Sequence, residues 1–146
     1  MRFMNGFFES LFKIKGRIGR KDFLIRVVVV YFLGAGLLTI MGSNINNLAQ
    51  IGKESIANIF AVVLLVFSIV LNVAYIMLCI RRLHDLNMSG LWLIAVIVFV
   101  IVVAGAHPSA PFILPLLFNL VLSLLRGTMG PNRFGADPLS RGLDAE

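Results

Sequence analysis

Arg81-Arg82-Leu83-His84-Asp85 places two arginines, a histidine and an aspartate in five consecutive residues. Before it, Ile56 to Ile80 carries no charge, and after it Met88 to Leu125 contains no Asp, Glu, Lys or Arg. Charge is costly inside hydrocarbon, so a cluster this dense between two apolar segments belongs at a water interface. It fixes how the remaining segments are placed.

The chain has 146 residues, which suits a single domain, residues 1–146. Only 14% of its residues are charged, against about 25% in a soluble domain, and its mean hydropathy is +0.95. The apolar residues come in blocks, the pattern of a polytopic membrane protein. The net charge of +6 would hint at nucleic acid in a soluble protein. Here the bias of basic residues toward one side of a membrane explains it more simply, and no nucleic-acid partner is expected. The single cysteine, Cys79, has no internal disulfide partner and reads as a small packing residue.

Four spans are expected, at about residues 23–41, 56–80, 91–106 and 111–126. Arg26 is the one charge in the first span, close enough to its start to reach the headgroups. Gly42 to Ser55, rich in Asn, reads as a loop. Pro108, Pro111 and Pro115 separate the third and fourth runs and argue against one continuous helix. These two runs are short. They either both cross or form a hairpin that dips in and returns; crossing is the preferred expectation. No small-residue cleavage site follows Phe23 to Met41, which argues against a removed signal peptide.

Basic residues set the orientation. Twelve of the thirteen Lys and Arg precede or start span one, lie between spans two and three, or end or follow span four, and only Lys53 lies on the other side. Both termini and the Arg81 loop are therefore expected in the cytoplasm, with a tail over residues 127–146. In the first 22 residues Phe3, Phe7, Phe8, Leu11 and Phe12 recur at helical spacing, with Lys13, Lys15 and Arg17 following. This suits an amphipathic helix in the inner interface. The expected fold is thus an all-α, integral membrane four-helix bundle with an amphipathic N-terminal interfacial helix.

Three polar motifs fall on the cytoplasmic side: Gly16 to Phe23 (GRIGRKDF), Arg81 to Asp85 continuing to Ser89-Gly90-Leu91-Trp92, and Gly130 to Gly135 (GPNRFG). In this order around four apolar segments, they resemble the family called domain of unknown function 805, over nearly the whole chain. The resemblance implies a small bacterial inner-membrane protein and no particular activity. One departure is Leu91, where an aromatic is common beside Trp92.

The motifs predict one cytoplasmic network joining Arg17, Arg20, Asp22, Arg81, Arg82, His84, Asp85, Asn132 and Arg133. One reading is a structural latch. In it Arg82 or Arg133 pairs with Asp85, Arg20 with Asp22, and Ser89 or Asn87 caps span three, while Gly130, Pro131 and Gly135 shape a turn in which Asn132 can tolerate unusual backbone angles. Another is an anion-binding surface, for which a phospholipid headgroup is the most available ligand. A membrane protein partner or a second copy is a further candidate. An enzyme would rest on His84 beside Asp85, but adjacency alone does not orient a base. A metal would need His84, Asp85 and Asp22 or Asp137, without ligand-like spacing. No catalytic residue, metal or cofactor is assigned. A transporter or channel acting as an oligomer is the last class. Its polar residues, Thr39, Ser68, Asn72, Asn119 and Ser123, include no membrane-centre acid or base. The favoured function is non-enzymatic: binding or scaffolding at the inner leaflet.

Overall fold

The computed structural model describes residues 11–140. Among them are four helices and no strand: α1 (Arg20–Gln50), α2 (Glu54–Asp85), α3 (Trp92–Ala106) and α4 (Ala110–Leu124). The expected amphipathic helix lies almost wholly in residues 1–10, outside the described residues.

α1 and α2 run longer than the apolar segments that start them. At 31 and 32 residues they reach about 46 and 48 Å, more than the roughly 30 Å of a bilayer's hydrocarbon. The polar stretch read as a loop is mostly the last two turns of α1. Ser43 Oγ donates to Ile40 O at 2.9 Å, and Asn44 Nδ2 to the same carbonyl at 2.6 Å. Back-bonding of this kind lets polar side chains stay in a helix. Only Ile51, Gly52 and Lys53 remain as the connection, with Gly52 at φ 74°. The Arg81 cluster is likewise no loop: it forms the last turn of α2.

α3 and α4 have 15 residues each, about 22 Å, and pack against each other. His107, Pro108 and Ser109 separate them, where the prolines predicted a break. Pro111 stands in the first turn of α4, where its missing N–H costs nothing. Pro115 is accommodated inside the helix.

α1 and α2 are both long and apolar enough to cross a membrane. The core helix of a soluble protein would be mostly buried, yet only 17% and 6% of their most apolar windows are. Phe32, Ile40, Ile59, Leu65, Ile101 and Phe112 are all exposed. Soluble monomers rarely expose continuous apolar surface on this scale, and a bilayer is the solvent it suits.

By internal contacts the chain forms two units. Val27–Ile76 is a hairpin of the larger parts of α1 and α2. Within it Tyr31 and Tyr75 meet edge to face at 5.9 Å, and Gly34 lies against Leu71. The other unit, Met1–Arg26 with Met77–Glu146, contains the first turns of α1, the last turns of α2, the α3–α4 pair and the segment after α4. Its most buried side chains include Phe23, Leu78, Cys79, Arg82 and Leu83.

Candidate functional site

Asp85 is the last residue of α2, and the helix stops there for a local reason. Asn87 adopts the left-handed conformation, φ 58°. Met88 N donates to Leu83 O at 2.9 Å and Asn87 N to His84 O at 3.0 Å. These two bonds satisfy the final carbonyls in the pattern that ends helices with a left-handed residue. Asn87 thus closes α2 rather than capping α3, and among the described residues it is the non-glycine residue with positive φ. Ser89 Oγ accepts from Leu91 N at 3.3 Å, at the entry to α3.

The Asp85 carboxylate is buried between two arginines. Arg17 Nε donates to Oδ1 at 3.0 Å, and Arg82 Nη1 donates to Oδ2. Asp85 backbone carbonyl oxygen accepts from Thr128 N and Oγ1, at 2.8 and 3.0 Å. Gly127 passes so close that a Cβ there would lie 2.1 Å from Asp85 Oδ2.

The arginines use their other donors on backbone carbonyls. Arg82 Nε donates to Leu122 O at 2.8 Å, Nη1 also to Ile18 O at 3.3 Å, and Nη2 to Leu125 O. A cation thereby caps the C-terminal end of α4, where carbonyls lack intrahelical partners and the dipole favours positive charge. Arg17 Nη1 donates to Gly130 O at 2.6 Å and Gly135 O at 3.4 Å, and Nη2 to Thr128 O. Each guanidinium has five N–H donors, and each commits four of them to protein. Burial lowers the pKa of Arg82, Asp85 opposes that, and the charge of Arg20 adds to it; the group stays protonated.

The Gly130 to Gly135 motif closes around this core. Asn132 N and Gly135 O are 3.0 Å apart, as are Gly135 N and Asn132 O. Asn132 Nδ2 donates to His84 O at 3.0 Å and to Thr128 Oγ1 at 2.9 Å, while Oδ1 accepts from Phe134 N. The Phe134 ring stacks on His84, with centroids 4.0 Å apart and planes 5° from parallel. Arg133 Cζ lies 4.7 Å from the same ring centre, and Nη2 donates to Asn87 O at 3.0 Å. Arg133 therefore does not meet Asp85; Arg17 takes that place.

His84 Nδ1 stands 3.3 Å from Gly16 O. Burial lowers the pKa of its ring and Arg133 adds to that, against the Gly16 bond. His84 and Asp85 are neighbours in sequence but serve different partners, so the carboxylate does not orient the imidazole as a general base requires. Arg81 is buried, with Nη2 3.5 Å from Arg17 O.

Seven of the nine predicted residues thus meet in one network. Arg20 and Asp22 do not pair with each other; both are exposed and line a neighbouring cleft of about 650 Å³. Lys21, Arg126, Gly127, Met129 and Leu139 border the same cleft. Sequence reasoning missed Gly127 and Thr128 as parts of this assembly; Phe134 entered only within the Gly130 to Gly135 motif, and Asp137 only as a possible metal ligand. Asp137-Pro138 was a readable turn signal. Its carboxylate accepts from Gly130 N at 2.8 Å and Leu139 N at 2.9 Å, and these bonds hold its pKa below the usual carboxylate range. Among the described residues no three His, Cys, Asp or Glu side chains stand together as metal ligands would.

Polar groups within the apolar helices mostly bond locally. Thr39 donates to Ala35 O, Asn72 to Ser68 O and Ser123 to Asn119 O, at 2.7 to 2.8 Å. Asn119 also meets Cys79 of α2, 3.9 Å from its sulfur.

Comparison with known proteins supplies a relationship without an activity. Two curated relatives, both called uncharacterized protein YiiR, come from Escherichia coli K12 and O157:H7. Each is 30% identical over 141 residues, covering 88% of this chain and 88% of the relative. No solved structure matches. A family model described as a protein of unknown function, DUF805, matches residues 11–136, and the chain belongs to that family.

Proposed function

We propose that this chain is a non-enzymatic, multi-pass protein of the bacterial inner membrane that binds anionic phospholipid at the inner leaflet. Its four helices form a membrane bundle, a single domain over residues 1–146, with both termini in the cytoplasm. Arg17, Arg82, Asp85 and Asn132 act as a latch that ties the cytoplasmic ends of the helices together. The excess of basic residues on that side attracts anionic lipid.

One observation carries the latch: the Arg17 and Arg82 guanidiniums spend four of five donors each on Asp85 and backbone carbonyls. Groups so committed hold a structure, and have little left for a substrate. Native mass spectrometry of the full chain released from mixed nanodiscs tests the reading. Retention of phosphatidylglycerol over phosphatidylcholine is expected, and equal retention would overturn it. A protein partner or a second copy would instead register as added mass.

A further inference from the structure

The lipid reading does not say where a headgroup sits, and the latch arginines are poor hosts for it. The cleft beside them has different chemistry. Its volume, about 650 Å³, falls inside the range of roughly 300–1,000 Å³ common for small-molecule sites. Arg20, Lys21 and Arg126 border it, and all three are exposed. The cleft also opens at the start of α1. The first bond of that helix runs from Phe23 N to Gly19 O at 2.9 Å, so the amides of Arg20, Lys21 and Asp22 precede the helical ladder. Such a helix end favours an anion.

The acids around the cleft only partly offset this charge. Asp85 is paired with Arg17 and Arg82. Asp22 and Asp137 stand against three cations, and both Asp137 oxygens are turned to the amides of Gly130 and Leu139. Leu24, Met129 and Leu139 give the wall apolar surface, beside Ser123 and Thr128. Leu24 belongs to the first apolar run, at the level where α1 would enter the membrane. A site lined by both cationic and apolar side chains suits an amphiphile better than free phosphate.

We propose that this cleft binds a phospholipid of the inner leaflet, its phosphate held by Arg20, Lys21 and Arg126 and its glycerol backbone lying along Leu24 and Met129. The assignment rests on the inner-leaflet reading above. Arginine and lysine supply charge-assisted hydrogen bonds to phosphate oxygens, the stronger class of such contacts. A net negative headgroup is favoured over a zwitterionic one because the cations outnumber the acids left without a cationic partner, three to two.

The test measures phosphatidylglycerol binding to the full chain by native mass spectrometry. The wild type is compared with the double variant Lys21→Gln, Arg126→Gln and with a control of equal charge change, Lys13→Gln, Lys15→Gln. The control residues are exposed and lie outside the cleft. The cleft variant is expected to bind roughly tenfold more weakly, with the control unchanged. Equal weakening in both variants would overturn the site in favour of diffuse surface charge. No weakening in the cleft variant, with the wild type still preferring phosphatidylglycerol, would overturn the site and leave the lipid reading standing. No wild-type preference for phosphatidylglycerol would overturn both. Displacement of bound lipid by millimolar glycerol 3-phosphate would overturn the assignment to a membrane lipid, since the phosphate alone would then suffice.

Discussion

Asp85 has two cationic partners and almost no contact with solvent. Replacing it with Asn keeps the shape but strands two buried guanidiniums without a counter-charge. Removing one partner from a buried pair costs about 3–5 kcal/mol, so Asp85→Asn is expected to lower the unfolding temperature strongly in detergent. Arg133→Ala removes one exposed carbonyl bond and a ring contact, and the loss should be within about 1 kcal/mol. His84 gives the network a pH dependence whose sign follows from its lowered pKa. Between that lowered value and about 6.5, the unfolded chain binds more protons at this position than the folded one. Its contribution is complete above about pH 6.5 and declines as pH falls through the window. Thermal unfolding from pH 7.5 to 5 should show this decline, and His84→Phe should flatten that part of the profile.

At the scale of elements, the cluster depends on how tightly the segment after α4 approaches the end of α2. Gly127 leaves no room for a side chain beside Asp85. Gly127→Ala would press a methyl into the Asp85 carboxylate, whereas Gly36, in α1, has open space around it. Gly127→Ala should therefore lower stability by an amount measurable as several degrees of melting temperature, while Gly36→Ala should leave it unchanged or slightly raised. The helices themselves were legible in sequence because hydrophobic blocks announce them. Their ends were not. Asn44 and Ser43 continue α1 by bonding backward to Ile40, so their polarity suggested a loop that is a helix. Arg81 to Asp85 extend α2 because its stop signal lies later, at Asn87, in a left-handed conformation that Asn visits more readily than most residues.

At the scale of the molecule, basic-residue placement supports one topology. With Cys79 replaced by Ala, a Cys at Lys53 should react with an impermeant maleimide in intact cells. A Cys at Ser140 should react only after the inner membrane is permeabilised. A Cys at Ser109 decides between crossing and re-entry for α3 and α4, and labelling from outside is expected. The convergence of three distant motifs was readable from the topology expected of the sequence, which places all three on one face. The choice of partners was not, because it depends on distances: Arg17 rather than Arg133 reaches Asp85, and Arg20 and Asp22 face a cleft instead of each other. If the cluster holds the helices together, Arg17 and Asp85 must be energetically coupled, and a double-mutant cycle on Arg17→Gln and Asp85→Asn, read by reversible unfolding in mixed micelles, measures that coupling. A coupling of at least about 1.5 kcal/mol between the two positions is expected; strictly additive effects would show that the pair does not tie the helices together.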